Sequence, residues 1–166
     1  TNEPEVEPLP EGVIVFDDFT DSTSGWTEKA VDGEFRYGYH PNEYLHLETR
    51  APLQDAVALA PWSSNPDEGY ALFTTAFVEP SLTDESGTFA YGLAFHLDES
   101  GNGLVFVVDE RSSAWQIYTR AGSGTGPYGS GVDYELIEQS SRSIPAQVSL
   151  EVIDLGNDEY QFRIDQ

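Results

Sequence analysis

Apolar and polar positions alternate from Phe89 to Leu97, with Phe89, Tyr91, Leu93, Phe95 and Leu97 set against Ala90, Gly92, Ala94 and His96. A period of two over that length predicts a strand with one buried face. Asp98 to Gly103, DESGNG, supplies Gly and Asn for a tight turn, because both tolerate positive φ. Leu104, Phe106 and Val108 resume the apolar face, Glu110 to Ser113 turns again, and Trp115, Ile117 and Thr119 alternate with Gln116, Tyr118 and Arg120. These three strands form a meander. The same reading predicts strands over 13–19, 35–39, 43–49, 54–60, 70–79, 134–139, 146–154 and 160–165, separated by Gly-, Pro-, Asn- and Asp-rich turns. No segment shows a 3.6-residue period. The expected fold is all-β, an antiparallel β-sandwich of jelly-roll type with roughly ten or more short strands.

Thr1 to Gly12, TNEPEVEPLPEG, has almost nothing to bury and reads as an extended arm or linker; Val13 to Gln166 is then one sandwich domain. Cysteine is absent, which removes disulfides and thiolate metal sites. No run of about 18 apolar residues occurs, so no membrane-spanning helix is expected. Charge changes the picture most. Thirty acids face seven bases, for a net charge of −23, and Lys29 is the single lysine. Nucleic acid and anionic lipid both need basic contacts, so neither is an expected partner. The acids fit a solvated surface, a saline habitat or the collection of divalent cations.

Asp17-Asp18-Phe19-Thr20-Asp21 and Ser24-Gly25-Trp26, followed by Gly33-Glu34-Phe35-Arg36, stand in the order of a "DDF-S-D-x-x-S-G-W" start. With Tyr91 to His96, Asn102 to Val108, Ala146 to Asp154 and Tyr160 to Asp165, the chain resembles the concanavalin-A-like lectin/glucanase (laminin-G-like) superfamily, and within it secreted bacterial modules, over about residues 13 to 165. That resemblance implies a jelly roll and a secreted or cell-surface location, with the N-terminal arm as tether. Such domains usually continue into one further strand after the position of Asp165, which leads to the expectation of an open sheet edge able to pair with another chain.

Glucanases of that superfamily carry an E-x-D-x-(x)-E pattern on one strand, and no strand here has it. No nucleophile elbow stands between a strand and a helix either. The Gly-rich stretch Gly122 to Gly131 lacks the Lys-Ser/Thr and the helix that phosphate binding requires. The expectation is a protein without catalytic residues. On the meander, alternation places His96, Asp109, Gln116, Tyr118 and Arg120 on one face. An aromatic ring beside carboxylate, amide and guanidinium groups suits a sugar, whose apolar face stacks while its hydroxyls hydrogen-bond. The competing reading is an ordinary solvated sheet face with an Asp109–Arg120 cross-strand pair. Trp62 and Tyr128 fall in loops that could form the rim of such a site. Asp17, Asp18 and Asp21 are the candidate ligands for a structural Ca²⁺, with Asp98, Glu99 and Asn102 second; both groups also suit turns. No cofactor is required. His40 and His46 lie in or beside a turn, and two histidines without a nearby carboxylate pattern do not lead to the expectation of a zinc site.

Three functions are therefore weighed. The first is a non-catalytic extracellular binding module for a glycan or cell-surface polymer, acting in adhesion. The second is a structural subunit of an extracellular filament or surface layer, self-associating by strand or arm exchange. The third and weakest is a glycoside-hydrolase-like enzyme.

Overall fold

The computed structural model describes residues 15–26, 28–31, 35–40, 44–49, 57–61, 69–78, 90–110, 112–122 and 132–165. Among these residues the structure is all-β, without a helix. Its strands are β1 (Lys29–Val31), β2 (Phe35–His40), β3 (Tyr44–Thr49), β4 (Ala71–Phe77), β5 (Ala90–Phe95), β6 (Gly103–Asp109), β7 (Ala114–Ala121), β8 (Asp133–Ser141), β9 (Gln147–Asp154) and β10 (Tyr160–Asp165). They make three antiparallel sheets, ordered β1-β2-β3, β10-β9-β4 and β5-β6-β7-β8.

Alternation decides which faces meet. Phe95, Phe106, Val108 and Ile117 from the four-stranded sheet close on Val148, Leu150, Val152 and Ile164 from the β10-β9-β4 sheet, with Leu72, Leu93, Trp115 and Phe162 packed around them. Burying each such side chain contributes about 1.5–3 kcal/mol. The arrangement is therefore sandwich-like, with one core between two sheets. Strand β8 overhangs that core. Its positions opposite Thr119, Ile117 and Trp115 are Glu135, Glu138 and Ser140, and all nine of its residues are exposed.

The meander forms as its alternation predicts, but β5 stops at Phe95, because His96 takes a left-handed φ of 54°. The described part of the first expected strand, Val15 to Phe19, forms no strand. There the Phe19 amide donates to Asp17 Oδ1 at 2.8 Å, and Phe19 turns the chain at φ 61°. Val57 to Ala60 likewise forms no strand, and the short β1 had no sequence signal. Residues 1–12, the expected arm, lie outside the described residues.

Candidate functional site

The five residues expected to share a face of the meander do not form one open patch. Register places Arg120 opposite Gly103 and Asp109 opposite Ala114. They stand six residues apart along β6, about 20 Å, so the Asp109–Arg120 pair of the competing reading does not form. Both are 2% exposed, and Val105 and Val107 between them are buried too. At these positions the face is buried rather than presented. Asp109 accepts from the Ser112 amide at 3.3 Å and closes the turn after β6. Arg120 donates through Nη1 to the Gly101 carbonyl and through Nε to Tyr134 Oη at 3.4 Å. Tyr118 packs edge-on against Tyr134 at 5.9 Å, and burial together with the Asp109 charge raises its phenol pKa. Gln116 is half-buried beside them.

His96 leaves this group altogether. Its left-handed backbone carries the ring to the opposite sheet, where Nε2 lies 2.9 Å from Oδ2 of Asp154 at the end of β9. Asp154 is 5% exposed, and its Oδ1 accepts from the Gly156 amide at 2.7 Å. The rings of Tyr70 and Tyr160 stand 5.5 Å and 5.6 Å from that of His96. This is a clasp between the two sheets. Burial, then the Asp154 charge and then Tyr160, push the Tyr70 phenol up to about 12. A raised tyrosine pKa means the folded state holds the proton more tightly than the unfolded chain. The stability it adds is complete below pH 10 and is lost as pH climbs through about 12. Thermal unfolding followed from pH 9 to 12 should therefore show a falling midpoint that Tyr70→Phe partly flattens. An identical fall in both proteins would refute the assignment.

Trp62 and Tyr128 lie outside the described residues. Asp17, Asp18 and Asp21 come together in one loop, each bonded within it. Asp17 Oδ2 accepts from Trp26 Nε1 at 2.8 Å and from Ser24 Oγ at 2.5 Å, and Ser24 Oγ meets Tyr39 Oη at 2.6 Å. The Trp26 ring packs edge-on against Phe19 at 5.4 Å. Asp18 accepts from the amide and hydroxyl of Thr20, and Asp21 from those of Thr23. The Thr20 bonds, backbone first, lower the pKa of Asp18, and the Thr23 bonds, side chain first, lower that of Asp21. The D-D-F-T-D…S-G-W run thus makes Asx turns and a staple onto Tyr39 of β2. Among the described residues, no three metal-ligating side chains already gather their donors about one point.

The open aromatic surface is elsewhere, on the outer face of the β10-β9-β4 sheet. Phe73, 66% exposed, stands opposite Glu151, which stands opposite Arg163. Arg163 Nη1 meets Glu151 Oε2 at 2.9 Å, and its Nη2 donates to Gln161 Oε1 at 3.4 Å. In the next row Thr75 Oγ1 lies 3.2 Å from Ser149 Oγ. Phe77, exposed on the same face of β4, meets Tyr44 of β3 edge-on at 5.2 Å, and Tyr44 stacks on His40 at 4.5 Å. Aromatic rings therefore run from β4 onto the β2–β3 hairpin, flanked by an acid, a guanidinium, an amide and hydroxyls. Sequence reasoning missed this face, since YALFTTAFVE reads as a nearly continuous apolar run, the pattern of a strand buried on both sides. The usable signal was Phe73 and Phe77 at the parity opposite to Leu72 and Ala76.

No protein-family model, curated protein or solved structure matches this chain.

Proposed function

We propose that the chain is a non-catalytic, extracellular glycan-binding module of jelly-roll type, and that its ligand lies across the outer face of β10-β9-β4. The observation that carries this reading is Phe73, a large ring two-thirds exposed and in register with Glu151 and Arg163. An exposed phenylalanine costs solvation and returns nothing to the fold, whereas the apolar face of a pyranose would cover it. The Glu151–Arg163 pair is a surface ion pair worth about 0–1 kcal/mol, so its groups can turn to sugar hydroxyls at little cost. The net charge of −23 repels uronic and sulfated polymers and favours neutral ones.

Calorimetric titration with soluble neutral and acidic polysaccharides tests this. A neutral polysaccharide should bind, and Phe73→Ala should weaken it by about tenfold, the equivalent of ~1.4 kcal/mol. The same change should leave the unfolding midpoint almost unmoved, because Phe73 is exposed. Binding that survives Phe73→Ala but fails with Tyr118→Ala would return the site to the β6–β7 face. Absence of binding across the panel would reject the glycan reading.

A further inference from the structure

The β2–β3 hairpin, at the end of that aromatic surface, also gathers imidazole and carboxylate side chains. Register pairs Arg36 with Glu48, Gly38 with His46 and His40 with Tyr44, so Arg36, Gly38, His40, Tyr44, His46 and Glu48 share one face, with the Arg36 position directly across from Glu48. His46 Nε2 stands 3.8 Å from Glu48 Oε2. The His40 ring is 5.9 Å from the His46 ring, tilted by 23°. Glycine at position 38 leaves the place opposite His46 empty of side chain, and Glu28 fills it. A Cβ at 38 would stand 2.6 Å from Glu28 Oε2. Two imidazoles and two carboxylates thus arrive from three segments of the chain.

We propose that Glu28, His40, His46 and Glu48 form an inducible binding site for a transition-metal dication of the Zn²⁺ class. The donor set decides the class, for Ca²⁺ and Mg²⁺ take oxygen ligands only, whereas imidazole with carboxylate suits Zn²⁺. Neighbouring donors on a tetrahedral Zn²⁺, at 2.0–2.1 Å from the metal, are about 3.3 Å apart. The His46–Glu48 pair at 3.8 Å needs only a small rotation to reach that spacing. His40 has to turn out of its stack on Tyr44, and Glu28, exposed, has to swing across Gly38. The acidic molecule draws cations to the site, and half-burial of His46 and Glu48 shelters the bound ion without sealing it off.

The test is titration of chelator-treated protein with ZnCl₂, read by calorimetry and by the imidazole NMR signals. The chain has three histidines, so the spectrum separates the cases. The signals of His40 and His46 should shift at one equivalent while that of His96, held by Asp154, stays in place. His46→Ala should abolish binding. Gly38→Ala, which seats a methyl where Glu28 lies, should weaken it while keeping both histidines. Millimolar CaCl₂ should not displace the metal. The proposal is overturned if no heat or shift is seen, if His46→Ala binds Zn²⁺ as the native chain does, or if Ca²⁺ competes. Any of those results leaves the stacked rings as packing alone. The NMR readout uses the native chain, so a variant that fails to fold does not decide the question.

Discussion

Replacing Arg120 by methionine is expected to lower the unfolding free energy by about 1–3 kcal/mol, the cost of leaving a buried acceptor without its donor. Arg120 is among the largest fully buried side chains of the fold. Its guanidinium holds the Gly101 carbonyl and the Tyr134 hydroxyl, so β7 is tied both to the turn before β6 and to β8. That turn is itself tightly made. Asp98 Oδ1 accepts from the Ser100 and Asn102 amides at 2.8 Å and 2.9 Å, and its Oδ2 accepts from Asn102 Nδ2 at 2.8 Å. Asn102 Oδ1 in turn accepts from the Gly122 amide at 2.9 Å, just beyond β7. Methionine fills the volume but leaves the carbonyl and hydroxyl without the cation. Urea denaturation of the two proteins measures the difference. Arg163→Met on the exposed sheet face should cost no more than about 1 kcal/mol, which makes it the control. A loss below about 1 kcal/mol for Arg120→Met would show that the turn holds without its pin.

Arg120 also shows how far the sequence could be read. Alternation correctly put it on the face away from the Phe106 core, and it put Asp109 there as well. Parity along a strand says which side a residue takes; it does not say what covers that side. Both residues are nonetheless buried, so a polar face that looked solvated is closed at these two positions. His96 marks a second limit. The period of two runs through it without a break, yet its positive φ ends β5 two residues early and sends the imidazole to Asp154, 58 positions away. Local rules served best where the contacts are local. The meander, both of its turns and the β9–β10 hairpin follow from alternation and turn residues alone. Likewise the aspartates at 17, 18 and 21 do the turn chemistry that their spacing to Thr20, Thr23 and Ser24 suggests. The exposed aromatic face of β4 was hidden for a different reason. A strand with apolar residues at both parities gives no clue to which side meets the core, and Phe73 became visible only once Leu72 and Val152 were paired inside.

The double substitution Glu135→Val with Glu138→Val is expected to make the chain associate through β8. That strand is the edge of its sheet, nine residues or about 30 Å long. Among the described residues it pairs with β7 alone. Leu136 and Ile137 lie exposed near its middle, the kind of edge that invites a second strand. Two features oppose such pairing. Glu135 and Glu138 take positions on the side of the sheet that carries the core, opposite Thr119 and Ile117, where an added strand would have to bury them. A bulge falls at the same place, since Ile117 pairs with Glu138 and Tyr118 with Leu136, leaving Ile137 as the extra residue. The double substitution removes the first guard and turns the middle of β8 into an uncharged, β-prone run that no acid interrupts. Only two of thirty acids are lost, so general repulsion between molecules is nearly unchanged and any association reports on the strand. Sedimentation at equal concentration and ionic strength distinguishes the outcomes. A monomeric native chain beside an associating double variant would mean that the acids keep β8 single and that the fold acts as a separate binding module. A double variant that stays monomeric would show that the bulge alone protects the edge. Ordered polymers of the native chain would reverse the argument, making β8 a docking strand and placing assembly into a filament or surface layer ahead of glycan binding.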